Sequence, residues 1–120
     1  MRSANLAALL SLAVVSNPAH AQPQVFERCA ACHSAKDGGK DSGKDLGPSL
    51  VGVFGRKAGS REDFRYSRPL ARSGITWDER NLDAFLKGPD QFIPGTRMPF
   101  EGIASDAERA EVIRHLQTLK

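Results

Sequence analysis

The chain has 120 residues, of which 26% are charged and 40% hydrophobic, and its formal net charge is +3. A chain of this length forms one small domain, whose core often needs a metal, a cofactor or a disulfide for stability. The weak positive charge, with no basic run interleaved with aromatic residues, argues against nucleic-acid binding.

The first 21 residues have the pattern of a secretory signal peptide. Arg2 precedes an apolar run over residues 6–15, and residues 19–21 (Ala-His-Ala) have the small-x-small form of a cleavage site. The apolar run is shorter than the about 20 residues that span a membrane, so an uncleaved anchor is the weaker alternative. We predict a signal peptide over residues 1–21 and a mature domain over residues 22–120. The mature protein is expected in a bacterial periplasm, without stable membrane insertion.

Three segments are predicted to be helices. The first is short and covers residues 23–31, with a proline at its start. A capping box that begins at Thr76 opens the second helix, which ends at Gly88-Pro89, and a capping box that begins at Ser105 opens the third, which runs to the C-terminus. Apolar side chains recur on one face of each of the last two helices: Leu82, Phe85 and Leu86, then Val112, Ile113, Leu116 and Leu119.

Long irregular stretches separate these helices. Residues 34–47 are rich in glycine, lysine and aspartate, and residues 48–59 and 91–102 have neither helical nor alternating periodicity. The sequence predicts no strand, no internal repeat and no linker between domains. So much loop in a small chain argues against a fold held together by its own core, whereas a large apolar cofactor would remove the difficulty. The expected fold class is therefore all-α, with about three main helices and long loops around a cofactor.

The sequence Cys29-Ala30-Ala31-Cys32-His33 is the signature of covalent c-type haem attachment. Each thiol adds to one haem vinyl group, and the two-residue gap lets one helical turn span both vinyls. The histidine that follows directly presents its imidazole to the iron. We therefore predict one haem c, attached through Cys29 and Cys32, with His33 as an iron ligand.

Two other uses of the cysteine pair are disfavoured. A thioredoxin-type disulfide needs a βαβ context, which this sequence lacks. A zinc site needs four suitably spaced ligands, and the other candidates are His33, crowded against Cys32, and the distant His115.

The sixth iron ligand is predicted to be Met98, the one methionine of the mature chain. Pro94 and Pro99 stiffen the loop around it, and a rigid loop can hold a weak thioether ligand on iron. The alternative role for Met98 is core filling, which is the usual role of a lone methionine. The alternative sixth ligand is His115 on the last helix. Histidine and methionine together raise the reduction potential and leave no open coordination position, which suits one-electron transfer.

From about residue 25 to residue 119 the sequence resembles the class I cytochromes c, of the mitochondrial and short bacterial type. The resemblance implies the small cytochrome c fold, and it implies that the carbonyl of Pro48 accepts a hydrogen bond from the ring of His33. The matching motifs are Cys29-x-x-Cys32-His33, Gly47-Pro48-Ser49-Leu50, Gly52-Val53-Phe54-Gly55-Arg56, Gly74-Ile75-Thr76-Trp77 and Ile93-Pro94-Gly95-Thr96-x-Met98.

The same resemblance implies further contacts with the haem. Arg56, Tyr66 and Trp77 match positions that contact the propionates, which need donors when they are buried. Thr96 would donate towards the same region, and Phe100 would flank the haem edge. A solvated surface charge is the alternative for Arg56, and ordinary core packing is the alternative for the two aromatic residues Trp77 and Phe100.

The sequence departs from the family pattern around the haem edge. Phe85 stands where a haem-facing tyrosine is common, which removes a hydroxyl group near Met98. Arg28 and Arg97 match the basic ring that many relatives use for docking, but Asp90 and Glu101 lie where lysines are frequent. Electrostatic steering towards acidic partners is therefore expected to be weaker than in strongly basic relatives.

The sequence predicts an electron carrier and not an enzyme. Its expected partners are redox proteins, such as a quinol-oxidising complex, a terminal oxidase or a periplasmic dehydrogenase. One alternative is a dedicated cytochrome c subunit of a periplasmic oxidoreductase complex, which the sparse basic ring and the short first helix favour slightly. A weaker alternative is a ligand-binding or peroxidase-like haem protein, which requires a labile Met98.

Overall fold

The computed structural model describes residues 22–36 and 46–120, together with the isolated positions 11 and 13. The predicted signal peptide therefore lies almost entirely outside the described residues. The described part contains a 3₁₀ helix over Gln24–Phe26 and five α-helices: α1 (Glu27–Ala30), α2 (Arg68–Arg72), α3 (Glu79–Lys87), α4 (Pro89–Phe92) and α5 (Asp106–Thr118).

The predicted all-α class is confirmed. Within residues 22–36 and 46–120, extended pairing is limited to an isolated antiparallel bridge between Lys57 and Thr76. The two longest helices, α3 and α5, pack against each other, and α5 also packs against the 3₁₀ helix. No helix among the described residues is long and apolar enough to cross a membrane.

The prediction for α5 is confirmed at its start. The Ser105 side chain accepts a hydrogen bond from the backbone N–H of Glu108 at 3.2 Å, so Ser105 is the N-cap. The helix ends at Thr118, and Leu119 lies just beyond it as a half-buried residue that packs on the core. The buried face that the sequence predicted contains Val112, Ile113 and Leu116.

The predicted cap of α3 is wrong. The helix begins two residues later than expected, with Asp78 as the N-cap, whose Oδ1 accepts from the N–H of Asn81 at 2.8 Å. The reason is a long-range contact, because the Trp77 N–H donates to the carbonyl of Arg56 at 2.8 Å. That bond holds Thr76 and Trp77 in the bridge, so neither can enter the helix, and an aspartate caps a helix as well as a threonine does.

The short helices differ more from the sequence prediction. The segment predicted as one helix over residues 23–31 consists of the 3₁₀ helix followed by α1, which ends at Ala30. Neither α2 nor α4 was predicted. Pro69 and Pro89 occupy the first turns of these two helices, where a missing N–H is tolerated. The second helix ends at Gly88-Pro89 as predicted, but the chain turns directly into α4 there.

A buried arginine fixes the start of α5 against α3. Arg109 is only 3% exposed, and its Nε donates to Asp83 of α3 at 2.8 Å. Its Nη1 donates to the backbone carbonyls of Ile103 at 2.8 Å and Ala104 at 3.1 Å, and its Nη2 pairs with Asp106. One guanidinium therefore satisfies both backbone and carboxylate acceptors at the junction of two helices.

His115 is half-buried beside the core and provides a pH-dependent prediction. Its ring meets the fully buried ring of Phe26 edge-on, with centroids 4.4 Å apart. Burial lowers the pKa of His115 below its ordinary 6.5. A histidine whose folded pKa is lowered stabilises the fold fully above pH 6.5, and this stability is lost as the pH falls through the lowered pKa.

We therefore expect the free energy of unfolding to fall between about pH 7.5 and pH 5. Replacing His115 with glutamine should reduce that pH dependence, because the side chain no longer titrates. Denaturant unfolding of both proteins at the two pH values measures the effect. Equal pH dependence in the two proteins would contradict this account.

Candidate haem-binding site

A cavity of about 490 Å³ lies between α1, α3, α5 and the loops that connect the helices. Its volume falls in the range of sites for cofactors and small molecules, and buried apolar side chains of α3 and α5 form one wall. Every residue that the sequence analysis assigned to the haem lines this cavity: Cys29, Cys32, His33, Pro48, Arg56, Tyr66, Trp77, Thr96, Met98 and Phe100. The rival ligand His115 does not line it.

The two cysteines lie on one turn at the cavity wall. Cys29 is in α1 and buried, and its carbonyl accepts from the N–H groups of Cys32 at 3.0 Å and His33 at 2.9 Å. This turn places the three chemically active residues of the motif together. Burial raises the pKa of the Cys29 thiol to about 11, against a smaller lowering by Arg28. Among the described residues no group of three or more His, Cys, Asp or Glu side chains could hold a metal ion, which opposes the zinc alternative.

The imidazole of His33 is oriented by the chain segment that faces it. Its Nδ1 lies 2.7 Å from the carbonyl oxygen of Pro48, and an acceptor at that distance places the ring proton on Nδ1. Nε2 then carries the ring lone pair, which is the kind of donor that a metal ion can bind. The N–H of Gly47 donates to the carbonyl of Cys32 at 2.9 Å, which joins this segment to the motif.

Gly47 is needed because the backbone approaches His33 closely. A Cβ atom at position 47 would overlap the imidazole ring. We expect Gly47→Ala to lower the free energy of unfolding of the haem-loaded protein by about 1–3 kcal/mol, the usual cost of overpacking. Gln117→Ala is a control for an ordinary surface change, because Gln117 is exposed near the end of α5. A Gly47→Ala protein as stable in denaturant as this control would show that the close approach does not matter.

Trp77 and Arg56 form part of the cavity wall. Trp77 is buried, and its backbone is held by bonds with Arg56 and Gly55, while its ring contacts Phe85 with centroids 4.9 Å apart. The Arg56 guanidinium donates to the carbonyls of Val51 at 2.9 Å and Ser49 at 3.2 Å. These two hydrogen bonds hold the Arg56 guanidinium beside the cavity, which disfavours the alternative of a solvated surface charge.

The hydroxyl group of Tyr66 tests whether a haem fits this cavity. It is buried and has no hydrogen-bond partner among the described residues. A buried donor without an acceptor costs roughly 1–3 kcal/mol, so such a group in a native protein needs an explanation. A propionate carboxylate beside Tyr66 would accept this hydrogen bond. The buried hydroxyl of Tyr66 therefore fits a haem propionate in this cavity.

The loop that contains Met98 forms another wall. Met98 is half-buried, the N–H of Thr96 donates to the carbonyl of Ile93 at 3.1 Å, and the N–H of Phe100 donates to that of Met98 at 2.9 Å. The guanidinium of Arg28 lies over the Phe100 ring, 4.7 Å from its centroid. This cation–π contact joins the loop to α1 beside the cysteine motif.

Several cavity residues were missed in the sequence analysis. Phe64 and Arg65 line the cavity beside Tyr66, and the rings of Phe64 and Tyr66 pack edge-on with centroids 5.0 Å apart. Two aromatic residues separated by one position in a non-helical segment are a signal for a shared buried face. Gly47 belongs to one of the motifs shared with the family, but its close approach to the His33 ring is visible only in three dimensions.

Known proteins that are similar to this chain in sequence or structure are cytochromes. Cytochrome c2 iso-2 of Magnetospirillum fulvum is 46% identical over 97 residues, which cover 81% of this chain and 97% of that protein. Cytochrome c of Tetrahymena pyriformis is 40% identical over 107 residues, covering 88% of this chain and 93% of that protein. The structure of cytochrome cH from Methylobacterium extorquens superposes with a TM-score of 0.70 at 37% identity, covering 78% of this chain and 91% of that one.

The family model for cytochrome c matches residues 21–120, which is most of the chain. The match includes the Cys29-x-x-Cys32-His33 motif at the cavity wall, and the small all-α fold agrees with it. The chain therefore belongs to the cytochrome c family, as a class I c-type cytochrome that binds haem c covalently.

Proposed function

We propose that this protein is a periplasmic one-electron carrier with a single haem c, attached through Cys29 and Cys32 and ligated by His33 and Met98. The bound haem supplies an iron that exchanges one electron between its ferrous and ferric forms. The observation that carries the proposal is the bond between His33 Nδ1 and the Pro48 carbonyl, in a cavity that Met98 also lines. This bond supports Nε2 as the ligating nitrogen, and two protein ligands would leave no coordination position for a substrate.

The polar residues of the cavity are proposed to hold the propionates. Tyr66 would donate its hydroxyl hydrogen, and Arg56 and the indole N–H of Trp77 would contribute further donors. Thr96 would donate towards the same region, and Phe100 would flank the haem edge. The unpartnered hydroxyl of Tyr66 and the braced guanidinium of Arg56 support this assignment.

The export of the protein is proposed from the sequence pattern of residues 1–21. We expect cleavage after residue 21 and a mature cytochrome domain over residues 22–120. N-terminal sequencing of the protein from a periplasmic fraction tests this cleavage site and the location. A mature N-terminus elsewhere would move the boundary, and retention in the membrane fraction would contradict the proposed location.

The partners are proposed to be redox proteins, such as a quinol-oxidising complex, a terminal oxidase or a periplasmic dehydrogenase. Relatives named cytochrome c2 and cytochrome cH support a carrier of this general kind. Exposed Asp90 and Glu101 lie beside the Met98 loop and offset Lys87 and Arg97. Because charges of both signs lie at this edge, long-range electrostatic attraction of a partner protein is weak, and binding depends more on close surface contact. The same mixed charge supports the second candidate, a dedicated subunit of an oxidoreductase complex.

A redox titration of the purified holoprotein tests the electron-carrier function. We expect one haem per chain and a single transition that fits one electron. Carbon monoxide should bind the reduced protein slowly or not at all, whereas rapid binding would indicate a ligand-binding or peroxidase-like protein. Stable co-purification with a larger redox enzyme would favour the subunit alternative over the free carrier.

A further inference from the structure

The side chain of Arg97 connects the loop that carries Met98 to the loop that carries Tyr66. Its Nη2 donates to the carbonyl oxygen of Arg65 at 2.6 Å, across 32 positions of sequence. Arg97 directly precedes Met98, and Arg65 directly precedes Tyr66. Arg65 and Arg97 both line the haem cavity. This single bond therefore ties together two walls of the cavity, next to the residues proposed to bind the iron and a propionate.

Other hydrogen bonds of the Met98 loop are local. The N–H of Thr96 donates to the backbone carbonyl of Ile93, and the N–H of Phe100 donates to the backbone carbonyl of Met98. The N–H of Gly95 donates to the carboxylate of Asp90 at 3.3 Å. These bonds join residues no more than five positions apart. They fix the shape of the loop but do not set its distance from the Tyr66 segment. The exposed bond from Arg97 spans that distance.

A thioether is a weak, neutral iron ligand, so the position of its loop determines how easily it is displaced. Met98 is half-buried, and an exogenous ligand can reach the iron only if the loop moves away. We propose that Arg97 is a positioning residue that keeps Met98 in place by fastening its loop to the Arg65 carbonyl. This inference rests on the proposed ligation by Met98.

Imidazole binding to the ferric holoprotein tests the inference. In Arg97→Gln the shorter side chain does not reach the Arg65 carbonyl, and imidazole is mostly uncharged at pH 8, so the lost charge has little effect on its approach. A hydrogen bond of this kind is worth about a three- to tenfold shift in an opening equilibrium, and imidazole affinity should rise by that factor. Arg114→Gln is the control, because Arg114 is exposed on α5 and does not line the cavity.

Amide hydrogen exchange gives a second readout that does not depend on the iron. In Arg97→Gln the amides of Thr96 and Phe100 should exchange faster, about three- to tenfold, by the same opening. The amide of Ile103, which donates to Leu86 at 2.8 Å, should be unchanged. Faster exchange at all three positions would mean general destabilisation and would overturn the proposal.

The experiments distinguish a wrong role for Arg97 from a wrong assignment of Met98 as an iron ligand. If the ferric wild-type protein has the absorption band of a methionine–iron bond and Arg97→Gln binds imidazole like the wild type, the role of Arg97 is overturned. If the wild type lacks that band, the ligation by Met98 is wrong. The exchange rates of Thr96 and Phe100 then still decide whether Arg97 fastens the loop.

Discussion

Replacing Met98 with alanine should lower the reduction potential of the holoprotein on the order of 0.2 V, a fraction of the ~0.8 V range that axial ligands span. The thioether stabilises ferrous iron, so its loss favours the ferric form. The same change leaves one coordination position open. We therefore expect the reduced variant to bind carbon monoxide rapidly, which an optical titration and a mixing experiment measure together.

Leu119→Ala is the control for this prediction. Leu119 is half-buried and packs on the core, but it does not line the cavity, so its truncation removes an apolar side chain without a contact to the haem site. Its potential and its reaction with carbon monoxide should match those of the wild type. A Met98→Ala protein with an unchanged potential would show that another residue is the sixth ligand.

Replacing Arg109 with leucine should lower the melting temperature of the holoprotein by about 5–15 °C, since it removes the buried guanidinium of this hydrogen-bond network and leaves backbone carbonyl acceptors without their donor. Leucine provides no donor for the carbonyl of Ile103, which is itself 1% exposed. The change also removes the ion pair between Arg109 of α5 and Asp83 of α3. Calorimetry or thermal circular dichroism measures the shift.

Arg114→Leu is the matched control on the same helix. Arg114 is exposed, and surface substitutions away from such networks usually change stability little. Its melting temperature should therefore remain within a few degrees of the wild type, as expected for a domain of this size. Similar melting temperatures for the two variants would contradict the importance of the buried network.

The helices that the sequence predicted well are those with local signals. Ser105 caps α5 through a hydrogen bond three residues ahead, which a sequence pattern can reveal. The cap predicted at Thr76 failed because Trp77 is held by a bond to Arg56, more than twenty positions earlier in the chain. The helices α2 and α4 have five and four residues, which is too short for an apolar period to be seen.

The same distinction applies to the haem site. Cys29, Cys32 and His33 form a local motif, so spacing alone predicts the attachment of haem. The assignments of Tyr66 and Trp77 came from resemblance to a family, and the structure brings both to the cavity. The close approach of Gly47 to His33 and the bond between Arg97 and Arg65 join distant segments. Such contacts depend on the folded chain, and no local pattern predicts them.

The ligation of the iron by His33 and Met98 is tested most directly by the optical spectrum of the oxidised wild-type holoprotein at neutral pH. We expect a low-spin spectrum with the weak absorption band of a methionine–ferric-iron bond, and we expect Met98→Ala to lack that band. A wild-type spectrum without the band, or a band that persists in Met98→Ala, would contradict the proposed ligation.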